Sequence, residues 1–224
     1  MAGIDTIMNR IDTVIFDMDG TVLNTLEDLT DSVNYVLEKF GFPKRTLAEY
    51  RRFFGNGIRY AISCAVPPGT PEKTIDEMIP VFKEYYDIHC LDKTRPYEGI
   101  TDAMKALKDN GFKLAIVSNK IDSAVKELNE RFFREYVDAA IGEKTGIRRK
   151  PHEDMVLTCL SMLNSSRDHA IYVGDSEVDM ETAKNAKIPC ILVLWGFRDR
   201  DFLIEKGAKI LVEKPCDIIN KVLY

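Results

Sequence analysis

Short runs of β-branched and aromatic residues punctuate this chain, and between them apolar residues return every three or four positions. The first run, residues 13–17 (TVIFD), ends at an Asp-Gly turn and predicts a buried strand with Asp17 at its carboxyl end. Similar runs at Lys113–Ser118, Val137–Gly142, Ala170–Asp175 and Pro189–Gly196 predict four further strands. Helical periodicity predicts crossovers at about Gly99–Asn110, Ser123–Arg131, Pro151–Leu163 and Val178–Asn185, with Asn110-Gly111 and Asn185 as stop signals. Strands alternating with helices predict an α/β fold, a parallel sheet covered by helices on both faces.

One stretch breaks the alternation. Val22, Leu26, Leu29, Val33, Val36 and Phe40 fall three or four apart, Thr25-x-x-Asp28 resembles a capping box, and Gly41 is a plausible stop. Further helices are predicted over roughly Leu47–Phe53, Ile58–Val66 and Pro71–Cys90, and no strand is expected until after Tyr97. The expected organisation is therefore an α/β core of residues 1–21 and 96–224 with an all-helical insert over 22–95.

Composition and charge narrow the classes. With 224 residues, 45% of them hydrophobic and 30% charged, the chain suits one sizeable core carrying a smaller insert. A net charge of −5 argues against a nucleic-acid or anionic-membrane partner, so an anionic substrate needs a local positive site. The start of the chain has no apolar core of signal-peptide length, and the longest apolar run, Ile188 to Phe197, is too short to span a bilayer. Five scattered cysteines, without a CxxC or Cys/His pair, fit a reducing compartment. The expectation is a cytoplasmic protein without zinc.

Ligands of open parallel sheets collect at the carboxyl ends of the strands, so the loops that follow them carry the candidate chemistry. The first loop is Asp17-Met18-Asp19-Gly20-Thr21. Two carboxylates two residues apart at the start of a turn face one pocket from different angles, and different environments then allow different roles. One that stays ionised can attack phosphorus, while the other hands a proton to the leaving oxygen. An Asx-turn after a strand uses Asp and Gly as well, but it does not require all four fixed residues of DxDGT. The second loop, Ser118-Asn119, offers a hydroxyl and an amide to a phosphoryl oxygen, and is also an ordinary turn pair. The third places Lys150 before Pro151, where a lysine would offset repulsion between an aspartate nucleophile and a dianionic substrate; a basic triplet such as Arg148-Arg149-Lys150 also reads as a solvated loop. The fourth, Gly174-Asp175-Ser176-Glu177-Val178-Asp179, offers carboxylates that together with Asp17 suit magnesium, and Asp175 or Ser176 can also cap the following helix.

In this order, DxDGT, Ser-Asn, Lys-Pro and GDxxxD resemble the phosphatase branch of the haloacid dehalogenase superfamily across the whole chain. The helical insert directly after DxDGT looks like that superfamily's cap domain, and DMDGTVLNTLEDL with Gly55-Asn56-Gly57-Ile58-Arg59 is most similar to its phosphoglycolate phosphatase group. The resemblance implies a Rossmann-like core with Asp17 as nucleophile and metal ligand, and Asp19 as general acid/base that offers its backbone carbonyl to the metal. It further implies that Ser118, Asn119 and Lys150 hold the phosphoryl group, with Thr21 beside them. Asp175 then binds Mg2+, and Asp179 supports the site by binding the ion directly, through water, or by orienting Lys150. The implied partner is a small phosphorylated metabolite, and the implied assembly a monomer or weak homodimer.

Within the insert, the loop carrying Gly55 and Asn56 is the candidate reader of the leaving group. Arg59 could pair with a substrate carboxylate there, and Arg52 and Lys44 compete for that role. The run Arg198-Asp199-Arg200-Asp201 balances its own charge and reads as a solvated turn. A pyrophosphatase would need the same core with a different pocket, and a sugar phosphomutase would return the aspartyl-phosphate to sugar instead of water. A dehalogenase is disfavoured, because carbon–halogen cleavage has no use for Asp19. A non-catalytic phosphate binder is disfavoured because every expected catalytic position is filled.

Overall fold

The computed structural model describes residues 11–223, which divide into two compact units. One comprises the described residues up to Val22 and those from Pro96 onward; the other is Leu23–Arg95.

The first unit opens with β1 (Thr13–Phe16), four residues that are all buried. After the insert come α5 (Ile100–Asp109), β4 (Lys113–Ile121), α6 (Asp122–Phe132), β5 (Ala139–Glu143) and α7 (Asp154–Met162). The unit closes with β6 (Ala170–Gly174), α8 (Glu177–Ala186), β7 (Cys190–Val193), α9 (Arg200–Glu205), β8 (Leu211–Val212) and α10 (Pro215–Leu223). The six strands form one sheet in the order β5-β4-β1-β6-β7-β8, with every pairing parallel. This is the Rossmann-like α/β architecture that the alternation predicts.

Side chains alternate across each strand, so β1 serves two layers at once. Ile15 joins Ala115, Val117, Ile141 and Tyr172 in a core closed by Met155, Val156 and Cys159 of α7 and Ala183 and Ala186 of α8. Val14 and Phe16 point to the opposite face. Burial on both faces explains why β1 reads as a continuous apolar run. With β4 on one side and β6 on the other, β1 is central, and Asp17 emerges with the ends of β4 and β6 as neighbours.

The second unit begins with β2 (Leu23–Asn24), continues through α1 (Leu26–Lys39), α2 (Leu47–Phe53), α3 (Ile58–Ala65) and α4 (Glu72–His89), and ends at β3 (Arg95–Pro96), which pairs with β2 in a short ribbon. Its core sets Leu29, Val33 and Val36 of α1 with Ile75, Met78 and Phe82 of α4, all buried. Gly41 ends α1 as expected: it holds φ +74°, and the Phe42 N–H donates back to the Leu37 carbonyl.

Several boundaries depart from the sequence expectation for identifiable reasons. The first long helix begins at Leu26, because Leu23 and Asn24 are spent on the ribbon with β3, which periodicity does not register. No capping box forms at Thr25, whose side chain makes no cap hydrogen bond. The Asp28 carboxylate instead accepts the Lys93 N–H at 3.0 Å and the Thr94 N–H at 2.8 Å. Pro151 does not open α7; the helix starts at Asp154, whose carboxylate is held by the guanidinium of Arg148 at 2.7 and 2.9 Å. Asn185 stays inside α8, its amide donating to the Pro151 carbonyl at 2.9 Å, and the helix ends at Lys187, with φ +57°. The elements α9, β8 and α10 carry no sequence expectation.

Candidate active site

Asp17 leaves β1 with its own N–H still bonded to the Val173 carbonyl of β6 at 2.8 Å, so the sheet ladder fixes its backbone. The residue is 5% exposed. Oδ1 accepts the Met18 N–H at 2.7 Å and meets the Lys150 ammonium at 2.8 Å. Oδ2 has no donor among the described residues.

Lys150, 3% exposed, binds through all three of its protons. Besides Asp17 it reaches Asp179 Oδ1 at 2.8 Å and the Tyr172 hydroxyl at 3.2 Å. That hydroxyl in turn donates to the Val117 carbonyl at 3.2 Å, tying the lysine to β4 and β6 together. Tyr172 carries no such signal in the sequence, since it sits in an apolar strand and reads as core. Asn119 holds the same loop, donating from Nδ2 to the Lys150 carbonyl at 3.1 Å. Ser118 is 2% exposed, and its Oγ accepts the Lys120 N–H at 3.2 Å.

Asp179 is fully buried on the first turn of α8. Its Oδ2 gathers the Asp175 N–H, the Ser176 N–H and the Ser176 hydroxyl at 3.1, 3.1 and 2.7 Å. With Oδ1 on Lys150, both oxygens are committed to protein donors. Asp175, 1% exposed, gives Oδ2 to the Phe197 N–H at 2.6 Å and keeps Oδ1 without a donor among the described residues.

The loop after β7 braces this arrangement. Trp195 donates from Nε1 to the Thr21 carbonyl at 3.0 Å, and Arg198 pairs with Glu177 at 2.8 Å. The expectation of a solvated turn therefore fails at Arg198, which is 6% exposed and paired with Glu177. Close approach depends on two missing side chains. A Cβ on Gly20, which holds φ +84°, would lie 2.4 Å from Asp175 Oδ2, and one on Gly196 would lie 2.3 Å from Asp175 Cβ.

Asp19 is placed apart from the cluster and pairs with Lys120, whose ammonium lies 3.0 Å from Oδ1 and 3.3 Å from Oδ2. Thr21 is fully buried, and its hydroxyl has no hydrogen-bond partner among the described residues. Gly55, Asn56 and Arg59 all belong to the helical unit. Gly55 adopts φ +116° between α2 and α3. Arg59, expected to meet a substrate carboxylate, is committed to Glu72 and Asp76 of its own unit, and Lys44 pairs with Glu38.

The charge balance bears on a cation. One oxygen from each of Asp17, Asp175 and Asp179 lies within 4.8 Å of the others, and among the described residues only one ammonium, Lys150, touches the group. Burial opposes the charge on Lys150, but Asp17 and Asp179 outweigh it and hold the ammonium firmly protonated. Burial raises the Asp175 carboxyl to about 7, helped by Asp179 and opposed by the Phe197 N–H. Asp17 is likewise pushed well up by burial, with Asp179 and Asp175 adding to the effect against the pull of Lys150. Excess buried negative charge with two donor-free carboxylate oxygens fits a small divalent cation with oxygen ligands.

Comparison with known proteins gives this arrangement a class. The family described as haloacid dehalogenase-like hydrolase matches residues 14–193. The phosphoglycolate phosphatase of Aquifex aeolicus is 30% identical over 92% of this chain and 94% of its own. The pyrophosphatase PpaX of Halalkalibacterium halodurans is 28% identical over 95% of this chain and 97% of its own. Among solved structures, a candidate phosphoglycolate phosphatase from Lactobacillus delbrueckii subsp. bulgaricus superposes with a TM-score of 0.91 at 38% identity, covering 96% of this chain and 99% of that one. The chain belongs to the haloacid dehalogenase-like hydrolase family. It is a phosphatase, of the phosphoglycolate phosphatase-like kind.

Proposed function

We propose that this phosphatase hydrolyses a small phosphomonoester, in the manner of a phosphoglycolate phosphatase, through an aspartyl-phosphate formed on Asp17 with magnesium as cofactor. The observation that carries the reading is the separation of the two aspartates of one turn, with Asp17 drawn into a buried cluster on Lys150 and Asp19 held apart on Lys120. Such a separation suits one carboxylate to attack and the other to move a proton.

In the first step a carboxylate oxygen of Asp17 bonds to phosphorus while the bond to the leaving oxygen breaks, and Asp19 gives that oxygen a proton. In the second, Asp19 takes a proton from water as the water oxygen attacks phosphorus, and the bond to Asp17 breaks to release phosphate. Lys150 keeps its protons throughout; it holds Asp17 in position and offsets the charge of an incoming dianion. Ser118, Asn119 and Thr21 are proposed to hold the phosphoryl oxygens. Asp17, Asp175 and the Asp19 carbonyl would hold magnesium, which when bound supplies charge stabilisation to the transferring phosphoryl group. Asp179, with both oxygens taken by donors, is read as the residue that orients Lys150 and the Asp175 loop. Residues 23–95 are proposed as the specificity unit, read through the loop at Gly55 and Asn56.

A steady-state panel of 2-phosphoglycolate, pyrophosphate, sugar phosphates and nucleotides tests the substrate class, with 2-phosphoglycolate expected to lead. A clear preference for pyrophosphate would favour the second reading, which rests on the likeness to the PpaX relative. Asp17→Asn is expected to lower kcat by at least about 10⁴-fold with the folded secondary structure retained by circular dichroism, since the oxygen-to-nitrogen change is nearly isosteric but removes the nucleophile. Substantial turnover by that variant would end the nucleophile assignment.

A further inference from the structure

We propose that Lys120 is the positioning residue for the proton-transferring Asp19, an inference that rests on the acid/base reading of Asp19 given above. Lys120 directly follows the Ser118-Asn119 pair, and a lysine after a polar turn would ordinarily be solvated. Here its side chain is only 5% exposed, and its ammonium contacts both oxygens of Asp19. The two lysines of the site are thus sorted, with Lys150 on Asp17 and Lys120 on Asp19.

The backbone that delivers Lys120 is shaped for the purpose. Between Val117 and Ile121 the pairing of β4 with β5 slips, since Val117 faces Ile141 and Ile121 faces Glu143. Extra residues are accommodated there as a bulge, a device that re-aims side chains. The bulge fits because β5 carries Gly142 opposite it. A Cβ at Gly142 would lie 2.5 Å from the Lys120 carbonyl oxygen and 2.6 Å from the Asp122 Cα, distances that backbone cannot yield. The Gly142 N–H is in turn held by Asp122 Oδ1 at 2.9 Å, which fixes the far side of the bulge.

Asp19 has two rotatable bonds and must meet the leaving oxygen first and a water second. A lysine spanning both carboxylate oxygens confines the group to the one orientation in which both encounters are productive. Lys120 itself neither gains nor loses a proton in either step; as the bond from phosphorus to the leaving oxygen breaks, the proton passes from Asp19 alone. The inference therefore concerns placement, and its signature is the leaving group.

Both esters give the same aspartyl-phosphate and the second step draws on Asp19 for either, so the test reads the first step alone, the single-turnover release of the leaving group. It compares p-nitrophenyl phosphate, whose leaving group departs without a proton, with 2-phosphoglycolate, whose alkoxide needs one. Lys120→Met is expected to lose about 100-fold in this single-turnover rate on the alkyl ester and less than about threefold on the aryl ester, the loss being of the size general acid catalysis supplies. Asp19→Asn should show the same selectivity, the double variant should be no worse than Asp19→Asn alone, and Lys120→Arg should restore most of the lost rate. Gly142→Ala, which displaces the bulge and leaves every charge in place, should reproduce the selective loss and serves in place of Lys120→Met if that variant fails to fold. Equal losses on both esters, or losses that multiply in the double variant, would overturn the role of Lys120. If Asp19→Asn itself does not distinguish the two esters, the acid/base reading of Asp19 is what fails.

Discussion

At the scale of single residues, the site is organised by whichever donor each carboxylate oxygen meets. Asp179 shows this most plainly: its type and spacing suit a metal ligand, yet four donors fill both its oxygens. Tyr172 extends the same logic one step outward, because its hydroxyl accepts from Lys150 and donates to the Val117 carbonyl. Removing that hydroxyl with Tyr172→Phe is expected to cost about 1–3 kcal/mol of stability, the penalty for leaving buried polar groups short of a partner. Because Lys150 would keep Asp17 and Asp179, kcat should fall by roughly tenfold or less; a neutral variant in both assays would refute the link. As candidates, Asp17, Asp19 and Asp175 stand out in the sequence because each lies in a turn directly after a strand, and Lys150 because it precedes Pro151. Tyr172 and Lys120 do not, since a tyrosine in an apolar strand looks like core and a lysine after a turn looks like surface. Arg198 reads as surface because an alternating Arg-Asp run is neutral along the chain, whereas in space it pairs with Glu177.

At the scale of elements, the strand pattern was readable and the loop bracing was not. Five strands and the long helices follow from periodicity, but hydrogen bonds from one loop to another leave no period. The apparent capping box at Thr25 illustrates the limit: Asp28 had the right spacing and chose the backbone of Lys93 and Thr94. By contrast Thr46 and Glu49 form a reciprocal capping box at the start of α2, which the sequence reading did not single out. The loop at Trp195–Arg198 shows how such bracing reaches the chemistry, since its backbone N–H at Phe197 holds Asp175 and its Gly196 leaves room for it. Gly196→Ala should push Asp175 out of line and raise the magnesium concentration for half-maximal activity by at least about tenfold, as changes in the groups that orient a metal ligand do. Titration of activity against magnesium checks this, and an unchanged midpoint would show that the loop does not set the ligand.

At the scale of the whole molecule, the buried cluster couples stability to pH and to cation. The Asp175 carboxyl rises from 3.8 to about 7 on folding, and Asp17 moves the same way. Without a cation the folded state therefore binds protons more tightly than the unfolded chain. Its contribution to stability is full below about pH 4 and is lost as pH rises through about 7. The difference in melting temperature between magnesium and chelator should accordingly be small at pH 5 and large at pH 8. A difference that stays constant with pH would argue against a cation at these carboxylates. Among the described residues no helix is long and apolar enough to cross a membrane.

The central place of β1 has a consequence for how the chain must assemble. Its neighbours begin at Lys113 and Ala170, so the first of the described strands to be made waits through the whole helical unit for one partner and longer for the other. Until β4 arrives, the buried Thr13–Phe16 and the Asp17 turn have no sheet to join. Loop closure over such separations is entropically expensive and slows folding. Refolding should thus show secondary structure in the helical unit well before phosphatase activity returns, and the interval between them is when the nascent enzyme is most exposed to aggregation.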